Sequence, residues 1–248
     1  GTDVTREAAS MVLADDNFNT IVAAVEEGRS INDNIRKFIR FLLACNTGEI
    51  LTMFIAMLAG LPLPLRAIQI LWINLVTDGL PAMALGVEPT EKGVMDRPPR
   101  HPQEGIFARG LWQKILGRGS LIGITTVLVF AWALEQGMEV DTARTMTFAT
   151  LIVAQLLYVF SCRRENSTLS LTGFFSNGWL LAAVFSSFAL LLVVIYHPPL
   201  ASVFATVPLS LEQWGVIIFA ASLPTVINLI LLVGKTLILP RLVVFKSE

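Results

Sequence analysis

Several polar side chains of this sequence interrupt apolar runs long enough to cross a membrane, among them Asn46, Glu49, Asn74, Thr77, Asp78 and Gln155. Three of them share the stretch Leu71-Trp72-Ile73-Asn74-Leu75-Val76-Thr77-Asp78-Gly79-Leu80-Pro81-Ala82. An Asp at the centre of a membrane helix costs roughly 2.5 to 3.5 kcal/mol on an insertion scale, so an acid at that depth faces a bundle interior and marks an ion or proton path. Asn74, Thr77 and Asp78 stand at i, i+3 and i+4, and a helical turn of about 100° per residue predicts that their oxygens share one face. Such a face offers three hard oxygen donors to a cation. Gly79 and Pro81 weaken the helix immediately afterwards, and broken membrane helices bare backbone carbonyls that also ligate cations. In the preceding apolar run, Asn46 and Glu49 repeat the pattern at i and i+3 and bring a second acid to membrane depth. The plainer reading, a polar contact between packed helices, suits a lone Asn or Thr, and it suits Gln155 or Asn228 taken singly. Two acids do not fit it. Burying both unpaired costs roughly 5 to 7 kcal/mol on the same scale, so a bound cation or protons are expected to compensate them.

The elements that carry these residues are membrane helices. The 248 residues are 54% hydrophobic and only 15% charged, with a mean hydropathy of +0.67, which implies an all-α polytopic membrane bundle. Lys+Arg 18 against Asp+Glu 19 leaves a net charge of -1, and this balance argues against nucleic acid or an acidic partner. Cys45 and Cys162, the only cysteines, fall in or at the end of apolar helices, so neither a disulfide framework nor a zinc site is readable. His101 and His197 lie in different loops without Cys or His at ligand spacing. The chain opens at Gly1 with no basic-then-apolar leader; no signal peptide is expected, and the chain reads as a piece of a longer protein.

In order, residues 1–28 are soluble in character. Thr2 or Asp3 can cap a short helix running through residues 7–10, Met11-Val12-Leu13-Ala14 reads as a short buried strand, and Asp15-Asp16-Asn17 as a turn. One strand and two helical turns cannot make a core, so this part is expected to be the edge of a larger α/β domain. A second helix is expected to begin near Asn19 or Thr20 and to continue unbroken, through the polar residues 29–40 and the apolar run 41–59, as a stalk entering the membrane. Leu61-Pro62-Leu63-Pro64 closes a hairpin loop, and the helix bearing Asp78 returns over residues 66–85, antiparallel to the one bearing Glu49. Residues 29–85 thus hold the ion-binding residues. Residues 86–118, proline-rich and polar, are expected to be an extended loop. Four further helices over residues 120–134, 146–162, 179–196 and 214–233 complete a set of six spans and a C-terminal support region, residues 119–248. Trp179, Tyr196 and Trp214 mark interfaces.

Cations set the expected orientation. Arg29, Arg36, Lys37 and Arg40 precede the first span; Lys92, Arg97, Arg100, Arg109, Lys114 and Arg118 fill the second loop; Arg163 and Arg164 follow the fourth span; Lys235, Arg241 and Lys246 close the chain. The other side has only Arg66 and Arg144. Both termini are therefore expected in the cytoplasm. Asn166-Ser167-Thr168 spells a glycosylation sequon, which that topology places in the cytoplasm and so discounts.

Taken together, four stretches resemble the calcium-pumping branch of the P-type ATPases, the sarcoplasmic and endoplasmic reticulum type and its bacterial relatives. They are Met11-Val12-Leu13-Ala14-Asp15-Asp16-Asn17-Phe18, Asn46-Thr47-Gly48-Glu49, residues 71–84 with Asn74, Thr77 and Asp78, and Met95-Asp96-Arg97-Pro98-Pro99-Arg100. The resemblance covers essentially the whole chain. It implies the C-terminal part of a pump: the tail of the phosphorylation domain, a central strut helix, and the last six of ten membrane helices, with the remaining domains of the pump and the lipid bilayer as partners. The proline-rich loop is implied to contact the phosphorylation domain. Calcium is the implied cargo, held by Asn46, Glu49 and Thr77 at a first site, by Asn74 at a second, and by Asp78 bridging both, with protons returning on the emptied carboxylates. Gln155 stands where two-site members carry a glutamate, so that ligand supplies neither charge nor a proton here. The aspartyl phosphorylation motif, the nucleotide-binding domain and the magnesium-binding acidic motif are absent from this sequence, so ATP and magnesium belong to the parent protein only. Thr47-Gly48-Glu49 spells the family's dephosphorylation tripeptide by coincidence, since here it lies inside a membrane helix. If the source is bacterial, the plasma membrane is implied. The rivals are a P-type pump for manganese, sodium or protons, and a channel, carrier or structural module; the incomplete α/β start argues against the last.

Overall fold

A computed structural model describes residues 2–9, 11–13, 17–91, 93–101, 103–163 and 176–244, with side chains as far as residue 231. Every regular element among the described residues is helical. Helix α1 is Asp3–Ala8, ending short of the expected Ser10, which lies outside the described residues. Residues 11–13 form no strand, and Met11 and Val12 are 54% and 51% exposed. A strand needs a neighbour to satisfy its N–H and C=O groups, and the described residues contain no second one. Ala14, Asp15, Asp16, Lys92, Arg164, the sequon at residues 166–168 and Lys246 lie outside the described residues.

Helix α2, Phe18–Leu58, runs for 41 residues without a break. At 1.5 Å per residue it extends about 60 Å, roughly twice the hydrocarbon thickness of a bilayer. It ends in a Schellman arrangement: Gly60 takes a φ of 68°, and Leu61 N–H donates to the Ala56 carbonyl at 3.0 Å. The returning span is broken into α3, Ala67–Trp72, a π-helical turn, Ile73–Thr77, and α4, Gly79–Gly86. Then follow α5, Leu111–Glu135, α6, Val140–Cys162, α7, Gly178–Tyr196, the short α8, Pro198–Phe204, and α9, Leu211–Val244. Helix α5 starts seven residues before the expected end of the loop because Leu111 and Ile115 are buried, at 1% and 0% exposure. Helix α8, unforeseen in the sequence, covers the start of the broken span. Gln69 Nε2 donates to the Phe204 carbonyl at 3.1 Å, and Trp72 meets the Phe204 ring edge-on at 5.0 Å. Among the described residues six spans are long and apolar enough to cross a membrane, the broken one, Ala67–Gly86, counted as one.

Helix α6 is the centre of the bundle. Met146, Phe148, Ala149, Leu151 and Ile152 are all fully buried, and a helix apolar around its whole circumference has no face left for solvent. Helices α2 and α5 approach most closely where glycines replace side chains. A Cβ on Gly119 would come within 2.5 Å of Thr47, and one on Gly123 within 2.8 Å of the Gly48 carbonyl.

The second loop does not extend away but lies on the outer half of α2. Arg29 donates to the carbonyls of Val94 and Arg97 at 3.0 and 2.8 Å, and Asn34 Nδ2 donates to the Glu88 carbonyl at 2.7 Å. Arg97 bridges Asp33 and Glu91, each at 2.7 Å, Lys37 pairs with Glu91 at 3.1 Å, and Arg100 bonds Asn32. Within the loop, the Arg109 guanidinium 2.6 Å from Glu104 holds that carboxyl below the usual carboxylate range. Its contribution is therefore present at neutral pH and lost as pH falls through the lowered value.

The glycine contacts are testable. Gly119→Ala and Gly123→Ala each destabilise by about 1 to 3 kcal/mol through overpacking, seen as a lower unfolding temperature in detergent. Gly117→Ala, where a Cβ meets nothing within 4 Å, is neutral or slightly stabilising.

Candidate cation site

Glu49 lies midway along the apolar half of α2 and is 4% exposed. Its carboxylate gathers three helices. Asn74 Nδ2, from the π turn, donates to Oε2 at 2.6 Å, and Gln155 Nε2, from the centre of α6, donates to Oε1 at 3.0 Å. Asn74 Nδ2 also donates to the Ile70 carbonyl at 3.0 Å. Two acceptors thus fix the orientation of that amide and leave its oxygen for a ligand. Gln155 is fully buried, and its Oε1 has no hydrogen-bond partner.

Asp78 is 1% exposed, and neither of its carboxylate oxygens has a hydrogen-bond partner. The Cys45 thiol of α2, a weak donor, faces it, and Glu49 lies within its electrostatic reach. Buried carboxylates ordinarily collect N–H or O–H donors.

The backbone beneath Asp78 departs from the regular helix expected. Asp78 N–H donates to the Ile73 carbonyl, five residues back, at 2.8 Å, and Thr77 Oγ1 donates to the same carbonyl at 3.1 Å. The wider turn means that Asn74, Thr77 and Asp78 do not repeat at 100° intervals. Asn74 reaches α2, while Thr77 and Asp78 are buried deeper. The cause lies downstream. Pro81 has no N–H to give the Thr77 carbonyl four residues before it, and that carbonyl instead accepts from Ser187 Oγ of α7 at 3.2 Å. Short π segments of this kind recur at functional sites.

Of the six residues expected at the site, Glu49, Asn74 and Gln155 are in direct hydrogen-bond contact, and Thr77 and Asp78 follow on the adjoining turn. Asn46 stands one turn before Glu49 on α2, half-buried, with no hydrogen bond to the other five among the described residues. Sequence reasoning missed Cys45 and Ser187. The signal for Ser187 was available in principle: a hydroxyl in an otherwise apolar span, able to meet the carbonyl that Pro81 orphans. Among the described residues no three acids, cysteines or histidines gather. The donor set is therefore two carboxylates with amide and hydroxyl oxygens, which suits a hard cation of flexible coordination.

Residues 62–233 match the family described as cation transporting ATPase, C-terminus. Over 226 residues, 91% of this chain, the sequence is 55% identical to a protein of Bacillus subtilis (strain 168) named calcium-transporting ATPase, and the match covers 25% of that protein. It is 39% identical over 251 residues to calcium-transporting ATPase 1 of Bacillus cereus, with 95% of this chain and 28% of that protein covered. The chain thus spans about a quarter of the length of the curated relatives it matches.

Two substitutions separate a structural carboxylate from a receptive one in cation-free buffer. Gln155→Leu leaves Glu49 with one amide donor and lowers stability by about 1 to 3 kcal/mol. Asp78→Leu replaces an unpartnered carboxylate by an apolar group of similar size and raises the unfolding temperature. A fall on Asp78→Leu would show that the carboxylate has a hidden structural partner.

Proposed function

The chain belongs to the cation-transporting ATPase C-terminal family, and from that premise we propose that it is the transport segment of an ATP-driven P-type pump exporting calcium from the cytoplasm. The observation that carries this reading is the buried Asp78 carboxylate, which no N–H or O–H of the described residues meets and only the weak Cys45 thiol faces, within reach of the second buried acid. Glu49, Asn74, Thr77, Asp78, Asn46 and the Gln155 amide oxygen form the ligand set. Calcium accepts six to eight oxygens in irregular geometry, and two carboxylates balance the charge of one divalent ion.

The hydrogen bonds of Glu49 suggest how binding proceeds. Asn74 and Gln155 hold the Glu49 carboxylate by its two oxygens, and an arriving cation competes with both amides for it. Helix α2 acts as the stalk. Its outer half carries the second loop and its inner half carries Asn46 and Glu49, so a displacement imposed outside the membrane shifts these two against Asn74, Thr77 and Asp78. Residues 1–28 are the end of the phosphorylation domain, and residues 119–248 support the ion-binding helices. Both termini face the cytoplasm, in keeping with the cation-rich loops, and in a bacterium the membrane is the plasma membrane. Protons returning on the emptied carboxylates provide counter-transport. ATP and magnesium act in the rest of the parent protein, which also packs against the exposed apolar rows of this segment, such as Leu71, Leu75 and Met83.

Gln155 favours a reduced charge at the first site. In sealed vesicles bearing the intact parent protein, ATP drives calcium uptake, and Asp78→Asn weakens calcium activation by about a hundredfold or more, as expected for removing one charged ligand. Gln155→Glu raises the number of calcium ions bound per phosphorylatable site. Normal calcium activation in Asp78→Asn would sink the assignment, and uptake of a different ion would keep the pump and change its cargo.

A further inference from the structure

We propose that helix α7 is a splint for the broken span, with Ser187 and the Glu88, Arg163 and Asn177 cluster as positioning residues for the Asp78 carboxylate; this rests on the reading of Asp78 as a transport ligand. Helix α4 has only eight residues, and Asp78 is its N-cap. On the side of α3 it meets a π turn, which leaves its direction dependent on outside support.

That support comes at both ends. At the front, Ser187 Oγ donates to the Thr77 carbonyl. The Thr77 carbonyl and the Asp78 N–H belong to one peptide plane, and the N–H is itself bonded to Ile73. Both poles of the plane that carries Asp78 are thus tied, one to its own span and one to α7. Loss of either tie lets the plane rotate and swing the carboxylate. At the rear, Asn177 Nδ2 donates to the Ala84 carbonyl at 3.3 Å and to Glu88 Oε2 at 2.6 Å. Arg163, at the end of α6, grips Glu88 Oε1 through Nε at 2.8 Å and Nη2 at 2.6 Å.

All of these groups are shielded from solvent: Ser187 is 0% exposed, Asn177 3%, Arg163 7% and Glu88 8%. Asn177 Oδ1 also caps α7 by accepting from Leu180 N–H at 3.0 Å, so the rear clamp is built into the start of the splint. The separation of Asn177 and Ser187 corresponds to about 15 Å of helix rise, enough to bracket the whole of α4. No other charged pair among the described residues is as deeply buried as Glu88 with Arg163, and neither side chain is a candidate ligand.

The test uses the intact parent protein with Ser187→Ala and, separately, Glu88→Gln, which keeps the side-chain shape. Amide hydrogen exchange over residues 78–86, half-activating free calcium and unfolding temperature are measured for each. Ser187→Ala is expected to speed exchange at Asp78 and to raise half-activating calcium about fivefold, the weight of one hydrogen bond, with the maximal rate at saturating calcium kept. Glu88→Gln is expected to act in the same direction, with faster exchange beginning at the rear of α4. A lower unfolding temperature with unchanged Asp78 exchange and unchanged half-activating calcium overturns the proposal, since it marks a merely structural role. Faster exchange without a change in half-activating calcium also overturns it. Faster Asp78 exchange in Ser187→Ala of a protein that calcium does not activate keeps the splint and removes calcium as the cargo.

Discussion

A carboxyl group inside an apolar bundle needs donors, a cation or a proton to offset its burial, and two such groups share the interior of this protein. Their surroundings divide the work. Glu49 receives an amide N–H on each oxygen and ties α2, the broken span and α6 into one unit. Asp78 receives none. It lies at 1% exposure, where an apolar residue of similar size would serve stability better.

The broken span follows from the same need. A regular helix buries all its carbonyls in its own hydrogen bonds and turns its side chains at fixed intervals. Pro81 removes one donor, the preceding turn widens, and Asn74 and Asp78 are aimed differently from their helical spacing. Within a membrane the freed carbonyl cannot turn to water, so a neighbouring helix must satisfy it, and Ser187 does so. Irregular backbone is tolerated here because α7 supplies the missing donor, which makes the geometry around Asp78 a property of two helices.

The outer half of α2 and the second loop are joined by charged and backbone contacts, whereas its inner half meets α5 through glycines with almost no room between backbones. The polar face of Ser30, Asn34 and Lys37, all buried, is the face that the loop covers, through Thr90, the Glu88 carbonyl and Glu91.

Apolar run lengths, charge distribution and the acids at membrane depth already determine the six spans, the long unbroken α2 and the candidate ligand residues, because a membrane penalises any other arrangement of those residues. Helix ends were legible only to within several residues: Leu111 and Val140 begin helices early because burial against neighbours extends them, which run length cannot reveal. Residues 11–13 look like a strand by composition, yet a strand is a pairing, and the described residues hold no partner for it. The contact of Gln155 with Glu49, the π turn, the role of α8 over Trp72 and the support from Ser187 belong to the tertiary structure alone. Each depends on where a distant helix places one donor or acceptor, and periodicity along a single segment carries no information about that distance.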